Sequence, residues 1–235
     1  MSALKVRIKF RKYGILRFIG HLDVMRCFQK AMRRADIPIA FTGGYSPHMI
    51  MSFAQPLGIG LTSDGEYMDI ELREPVPSSR AVQALNAVMP EGLEVVSFRQ
   101  ISDEKKASGM TIVSAADYLV TVKDGAAAPS ASPFRADKLE AFLAQPSIPV
   151  LKKTKRSEKE LDIRPLIYGA AVKKEGLFLR LAAGSADNLK PELVTGAFYR
   201  WAQEEPAPLH FHRLELYAGS PQELKALEEL GQDIK

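Results

Sequence analysis

The residues best suited to chemistry near the start of the chain are Arg17, Gly20, His21 and Arg26, at the predicted beginning of a helix. The first N–H groups of a helix have no partner within it, and the helix dipole adds positive charge there, so this end can hold a phosphate or carboxylate. Arg17 and Arg26 would strengthen the attraction. We expect an anion site here. Two alternatives stay open: His21 only shapes the turn, or it is a catalytic general base.

A second candidate is an uncharged loop that contains Gly43, Gly44, Tyr45 and His48. Glycine backbones can present amide groups to an anion, and the rings of Tyr45 and His48 offer flat surfaces on which a base could stack. No Asp or Glu between residues 37 and 63 repels phosphate. His48 is a second candidate general base. The open alternative is a structural turn whose aromatic side chains pack inward.

The second half of the chain offers weaker candidates. Lys152, Lys153 and Arg164 are cations on or after a predicted strand, where they suit contacts with backbone phosphates. The alternative is a solvated strand edge that prevents aggregation. His210 and His212 share one strand face but lack a clear third ligand, so we predict no metal site.

Positive charge is concentrated at the start of the chain. Residues 1–53 contain ten of the 32 Lys/Arg and two of the 28 Asp/Glu, which leaves 22 basic and 26 acidic residues in the remainder. A basic region beside an acidic one predicts an anionic partner, of which nucleic acid is the commonest. Four of these cations share one stripe of the predicted helix: Arg26, Lys30, Arg33 and Arg34.

Composition narrows the class of protein. Hydrophobic residues make up 46% of the chain, which is ample for packed cores, but no apolar run approaches the roughly 20 residues that span a bilayer. The first residues alternate apolar and basic types, unlike a secretory signal. We therefore expect a cytoplasmic protein with no membrane partner. A single cysteine, Cys27, excludes an internal disulfide and any Cys-only metal or iron–sulfur site within the chain.

Hydrophobic periodicity predicts an α+β fold of two tandem ferredoxin-like (split βαβ) domains with antiparallel sheets. The domains are expected at 1–101 and 112–218, joined by a polar linker, with a charged tail at 219–235 that is helical or disordered. The first domain should contain strands at 4–10, 50–53, 66–72 and 93–98, a short extended piece at 16–19, and helices at 21–35 and 77–89. The second should contain strands at 118–122, 150–155, 167–172, 177–181 and 209–217, a loop at 125–134, and helices at 136–143 and 191–201.

The sequence contains several distinctive ordered runs, which include Val6-Arg7-Ile8-Lys9-Phe10, Leu16-Arg17-Phe18-Ile19-Gly20-His21-Leu22-Asp23, Gly44-Tyr45-Ser46-Pro47-His48 and Ser63-Asp64-Gly65-Glu66-Tyr67. These runs resemble the bacterial radical-SAM-linked domain family, which is a domain of unknown function. The resemblance is close over 4–75 and looser to about 217, and it differs at Met49 and Ile50, where members typically have Pro-Lys.

This resemblance implies a radical-SAM protein as partner and an RNA or ribosome context. The iron–sulfur cluster and S-adenosylmethionine are expected only on that partner, and no cofactor is expected in this chain. We expect an RNA-binding accessory module, acting on tRNA or rRNA, without catalytic activity of its own. Two alternatives stay open: a metal-independent endoribonuclease with His21 or His48 as general base, and an adaptor that binds only the radical-SAM protein.

Overall fold

The computed structural model describes residues 4–123, 134–153 and 158–235. Within these residues the chain forms five α-helices and twelve strands. The helices are α1 (His21–Arg34), α2 (Ser78–Asn86), α3 (Gly109–Ile112), α4 (Ala136–Leu143) and α5 (Pro191–Ala202). The strands are β1 (Leu4–Lys12), β2 (Met51–Phe53), β3 (Thr62–Leu72), β4 (Leu93–Gln100), β5 (Val113–Val122), β6 (Pro149–Lys153), β7 (Glu158–Asp162), β8 (Ile167–Val172), β9 (Leu177–Ala182), β10 (Leu209–Ser220), β11 (Glu223–Ala226) and β12 (Gln232–Asp233).

One large sheet runs through both halves of the chain. Its strand order is β12-β4-β1-β3-β10-β5-β9-β8, with β2 on β3 and β11 on β10, while β6 and β7 form a separate pair. The described pairings are antiparallel except that of β3 with β10, which is parallel at Thr62–His212 and Ser63–Arg213. The predicted α+β class with antiparallel strands is confirmed. The two halves share one sheet, however, through the β3–β10 pairing.

The alternation in β1 and the helical period of α1 together build the first core. Val6, Ile8 and Phe10 are buried on one face of β1, where they pack with Phe28 and Met32 of α1. These positions follow the two-residue period of a strand and the three-to-four-residue period of a helix. α1 therefore lies across this face of the sheet with its opposite side toward solvent. A second core packs α4 and α5 against the strands of the second half.

Two local predictions were wrong, one at 16–19 and one in the tail. The segment expected to be extended at 16–19 lies largely in a 3₁₀ helix, Gly14–Phe18. The segment predicted as a linker, 102–111, contains a 3₁₀ turn and most of α3. The tail is not disordered and has no α-helix: β11 and β12 pair with β10 and β4. Leu227, in the short 3₁₀ helix between these two strands, is fully buried. The predicted loop at 125–134, apart from residue 134, and the last two residues of the strand predicted at 150–155 fall outside the described residues.

None of the helices in the described ranges combines the length and apolar character needed to cross a bilayer.

Candidate functional site at the two ends of helix α1

Much of the positive charge of the first 53 residues is neutralised inside the fold. Arg7 binds Asp69 through two hydrogen bonds of 2.7 and 2.9 Å, and both side chains are largely buried. Lys9 lies 2.7 Å from Glu215 and 2.6 Å from Glu228. Because both glutamates come from the second half of the chain, the charge count of the first half overstates the positive charge that a ligand would meet.

Two further arginines of the first half also have carboxylate partners. Arg11 contacts Glu94 at 3.2 Å and Asp64 at 3.4 Å. Arg26, which was predicted to bind an anion, lies 3.0 Å from Asp23 one turn earlier on α1. Both pairs are partly or largely exposed, where such contacts contribute little to stability. They nevertheless reduce the positive charge that these arginines offer to a ligand.

Three of the cations that form no ion pair lie together on the solvent side of α1. Lys30, Arg33 and Arg34 are exposed, and none of them forms an ion pair with another described residue. They occupy the second half of the helix, opposite the face that buries Phe28 and Met32. Together they form a surface on which phosphate groups can be bound without displacing a carboxylate of the described fold.

The loop predicted at residues 43–48 is held at its base and exposed at its tip. Thr42 N donates to His48 O at 2.9 Å, and His48 N donates to Thr42 Oγ1 at 3.1 Å. Gly44 has φ +97°, a left-handed conformation that favours glycine, whereas Gly43 does not need one. Tyr45 is fully exposed, so its ring does not pack inward.

This loop and the end of α1 attach to the same end of β3. Directly after α1, Ile37 N donates to Met32 O, and Ile39 pairs with Leu72 at the end of β3. Ala40 N then donates to the carbonyl of Glu71, next to Leu72. The chain leaves the sheet from this point to form the loop. The unpaired cations near the end of α1 and the loop that carries Tyr45 therefore both lie at the end of β3 where Leu72 is located.

His21 lies at the other end of α1. The helix has 14 residues, which corresponds to a length of about 20 Å. The His21 ring packs edge-on against Phe53, with ring centroids 4.7 Å apart, beside a small cavity that is also lined by Lys12 and Glu66. The structure thus divides the predicted site residues into two groups, with His21 in one and His48 in the other.

The cavity beside His21 contains buried charges. Lys12 is 2% exposed and Glu66 3% exposed; Lys12 Nζ donates to the carbonyl of Ile19 at 2.9 Å. Arg213 of β10 donates to Glu66 at 2.8 Å. Burial raises the pKa of Glu66, although Arg213 and Lys12 oppose the rise. Burial lowers the pKa of Lys12, against the attraction of Glu66, and lowers the pKa of His21.

Lys12 and Glu66 were not predicted from the sequence, yet a signal for them was present. Val6, Ile8 and Phe10 occupy alternate positions of β1, and Lys12 is the next position on the same face. In β3, Glu66 likewise precedes Met68 in the stripe that faces the core. A charged residue that continues an apolar stripe is a candidate for a functional site. Arg213 comes from a distant strand, and no such pattern marks it.

The other residues predicted to bind an anion lie apart from both groups or outside the described side chains, except for Arg17 and Gly20, which lie just before α1. Arg17 lies over the ring of Phe18, 4.8 Å from its centroid. Gly20 is the residue before α1 and has an extended backbone that does not require glycine. Arg164 donates from Nε to the carbonyl of Leu143 at 2.7 Å, at the end of α4, far from α1 in sequence. The side chains of Lys152 and Lys153 lie outside the described part of the chain.

His210 and His212 meet at one hydroxyl group. Thr62 Oγ1 lies 2.8 Å from His210 Nε2 and 2.7 Å from His212 Nδ1, and His212 Nε2 lies 3.2 Å from Asp64 Oδ2. These contacts join β3 to β10 where the two halves meet. Over the ranges that the structure describes, no group of three or more His, Cys, Asp or Glu side chains is placed to bind a metal ion.

A family model described as "Uncharacterized protein conserved in bacteria (DUF2344)" matches residues 5–191. The chain belongs to the DUF2344 family. A search of curated proteins found no match. The DUF2344 match covers α1, the loop at 43–48, Lys12 and Glu66, but ends before β10. Arg213, which donates to Glu66, and the two histidines of β10 therefore lie outside the matched range.

The two ends of α1 in this DUF2344 chain suit different chemistry. At the His21 end, a small cavity is lined by a buried lysine, a buried glutamate and an imidazole whose pKa is lowered by burial, which favours its neutral form. A neutral imidazole can accept a proton, and a lysine can stabilise a developing negative charge. At the other end, exposed cations and an exposed aromatic ring suit the backbone and bases of a nucleic acid.

Proposed function

We propose that this DUF2344 chain is an RNA-binding accessory module whose RNA surface consists of the exposed side of α1 and the loop at 43–48. The observation that carries this proposal is that Lys30, Arg33 and Arg34 are exposed and unpaired within the described fold. Four of the other seven cations in residues 1–53 form ion pairs: Arg7, Lys9, Arg11 and Arg26. Each cation that contacts a phosphate releases condensed counterions, which is the main source of affinity for nucleic acids.

The loop adds a contact suited to a base. Tyr45 is fully exposed at the tip of a loop that hydrogen bonds hold at its base, so its ring is presented to solvent at little cost in ordering. Stacking of one base on such a ring contributes about 1–3 kcal/mol. No carboxylate lies within the loop to repel the neighbouring phosphate. Single-stranded RNA, with unstacked bases, is the class of ligand that fits these features.

We further propose that the chemistry on this RNA, tRNA or rRNA, belongs to a separate radical-SAM enzyme in the cytoplasm. The resemblance to the radical-SAM-linked family supports this partner. Such an enzyme needs several cysteines to bind its iron–sulfur cluster, and this chain has only Cys27.

We also interpret the two halves as ferredoxin-like units. In each half the strands stand in the order fourth, first, third, second: β4-β1-β3-β2 and β10-β5-β9-β8. On this interpretation α1 is the first helix of the first unit. Its exposed side is opposite the face that packs on the sheet.

Fluorescence anisotropy with labelled tRNA and single-stranded rRNA fragments tests RNA binding. The triple variant Lys30→Ala/Arg33→Ala/Arg34→Ala should bind at least tenfold more weakly than the unmodified chain. The control Lys173→Ala/Lys174→Ala removes two exposed charges from the turn between β8 and β9 and should bind within twofold of the unmodified chain. Equal affinity for the triple variant and the unmodified chain would overturn the proposal.

A second function, metal-independent RNA cleavage, is favoured by the cavity beside His21. Burial lowers the pKa of His21, so its imidazole is neutral at pH 7 as a general base requires, and Lys12 lines the same cavity. Labelled RNA incubated in EDTA tests this function. Cleavage that is lost in His21→Gln and kept in His48→Gln supports it, because His48 lies at the other end of α1. RNA that stays intact with the unmodified chain removes it for the substrates used.

A further inference from the structure

Four large apolar side chains are exposed around the beginning of α1. Ile15 is 78% exposed, Phe18 60%, Leu22 59% and Ile59 66%. We call these four residues the apolar patch. A single exposed apolar side chain is ordinary, but soluble monomers rarely expose large contiguous apolar surfaces, and those that do usually bind something there.

Three short segments bring the apolar patch together. Ile15 and Phe18 are three residues apart in a 3₁₀ helix, a spacing that places them on the same side. Gly60 N donates to the carbonyl of Arg17 at 2.7 Å, which fixes the loop carrying Ile59 against this helix. Ile59 Cδ1 also lies near Gly20, the residue before α1, and Leu22 is in the first turn of α1. The patch is therefore one surface built on hydrogen-bonded backbone.

The rim of the apolar patch is positive. Arg17 lies over Phe18 and forms no ion pair with the residues that the structure describes. Gly20 provides no side chain to cap α1, so the first backbone N–H groups of the helix add partial positive charge. Asp23 is the acid nearest in sequence, and Arg26 binds it. A partner that carries a carboxylate would complement this rim.

We propose that the apolar patch docks a segment of a partner protein that presents apolar side chains together with an Asp or Glu carboxylate, which would lie against Arg17 and the beginning of α1. A second copy of this chain fits poorly, because it would bring two Arg17 side chains and two helix beginnings together. A membrane surface also fits poorly. Anionic lipids bind clusters of several Lys or Arg side chains, whereas the rim of the patch offers Arg17 and the beginning of α1. The free cations Lys30, Arg33 and Arg34 lie toward the other end of α1.

This proposal goes beyond RNA binding. If RNA contacts the far end of α1, the apolar patch stays open, so the chain can hold RNA and a protein at the same time. The apolar patch contains none of Lys30, Arg33, Arg34 and Tyr45, which carry the proposed RNA contacts, so each surface can be removed separately.

A phage-displayed library of random twelve-residue peptides, selected on the full chain, tests the proposal. Counter-selection on the double variant Phe18→Ser/Leu22→Ser removes peptides that bind elsewhere. We expect enriched peptides that combine apolar residues with Asp or Glu. In fluorescence anisotropy, a synthetic enriched peptide should bind the double variant at least tenfold more weakly than the unmodified chain. Replacement of its acidic residues by Lys, or of Arg17 by Ala, should weaken binding several-fold.

The matched control is Met110→Ser/Leu151→Ser, which removes two exposed apolar side chains outside the patch and should leave peptide binding unchanged. Circular dichroism should show that both double variants are folded, and RNA affinity should be the same in both. The proposal is overturned if no acidic–apolar peptide is enriched, or if enriched peptides bind the Phe18→Ser/Leu22→Ser variant as well as the unmodified chain. It is also overturned if the patch instead mediates self-association in sedimentation or binding to phosphatidylglycerol vesicles.

Discussion

Arg213 of β10 donates to Glu66 of β3 at 2.8 Å, and both side chains are buried where the two halves of the chain meet. The same guanidinium nitrogen donates to the carbonyl of Gln55 at 2.7 Å. The pair lies beside the parallel pairing of Ser63 with Arg213. When one partner of a buried ion pair is removed, the other charge is still desolvated but no longer has the attraction that offset this free-energy cost. This contact therefore makes the folding of one half depend on the other.

Removal of one partner of this pair should destabilise the whole chain. We expect Glu66→Gln or Arg213→Met to lower the free energy of unfolding by about 3–5 kcal/mol. Urea unfolding followed by circular dichroism measures the change. Arg135→Ala is the control: it breaks the exposed Arg135–Asp137 pair and should leave the midpoint where it is. A loss for Glu66→Gln no larger than that of the control would show that the pair does not couple the two halves.

The close approach of β3 and β10 at Gly65 gives a second prediction. A Cβ atom at this position would lie 2.7 Å from Glu215 Cα and 2.7 Å from Leu214 O, both backbone atoms that cannot turn away. Gly65→Ala should therefore destabilise the protein by about 1–3 kcal/mol. At Gly43, in the exposed loop, no described atom lies within 4 Å of the added Cβ, so Gly43→Ala should be tolerated. Thermal unfolding measures both, and equal shifts would contradict the predicted crowding.

Elements governed by local periodicity were predictable from the sequence. The helix predicted at 136–143 is α4, Ala136–Leu143, and the helix predicted at 21–35 is α1, His21–Arg34. Both follow from apolar residues spaced for one helical face. The short strand predicted near 50–53 is β2, Met51–Phe53. These elements depend on neighbouring residues, so their sequence is sufficient to identify them.

Contacts between distant parts of the chain were not predictable. Lys9 contacts Glu215 and Glu228, which are 206 and 219 residues away in sequence. No local pattern predicts these pairs. For that reason the count of basic residues predicts the sign of the net charge of the first half, but not how much of that charge a ligand can reach. The same applies to the site. Lys12 continues an apolar stripe and could be recognised from the sequence, whereas Arg213 is brought to Glu66 only by the pairing of β10 with β3.

The environment of His21 predicts a pH dependence. Burial lowers its pKa below the usual 6.5, so the unfolded chain takes up a proton on this residue more readily than the folded one. Stability from neutral His21 is therefore complete above pH 6.5 and is lost as the pH falls below that value. Proton NMR should show the His21 ring titrating below 6.5, and His21→Gln should flatten the acid limb of the stability curve. A midpoint at or above 6.5 would contradict the burial of the ring.

The C-terminal segment should contribute to the stability of the fold, although the sequence predicts a charged tail that is helical or disordered. Leu227 is fully buried between β11 and β12, and Ile234 N donates to Ser78 Oγ at 2.8 Å. Leu227→Ala should cost about 2–5 kcal/mol, because it leaves a cavity in packed surroundings. Leu230 lies in the same 3₁₀ turn but is 40% exposed, so Leu230→Ala should cost clearly less. Urea unfolding compares the two variants, and equal losses would mean that the turn is not packed as described.

Salt dependence separates the two kinds of RNA contact proposed for α1 and its loop. On single strands, each phosphate contact contributes about −0.7 to the slope of log K against log salt concentration, so Lys30→Ala/Arg33→Ala/Arg34→Ala should make the slope shallower by about 2. Tyr45→Ala removes stacking, which releases no counterion, so it should lower affinity at every salt concentration and leave the slope unchanged. The control Lys173→Ala/Lys174→Ala should change neither quantity. A triple variant with the slope of the unmodified chain would assign the phosphate contacts to a surface other than α1, whatever its affinity.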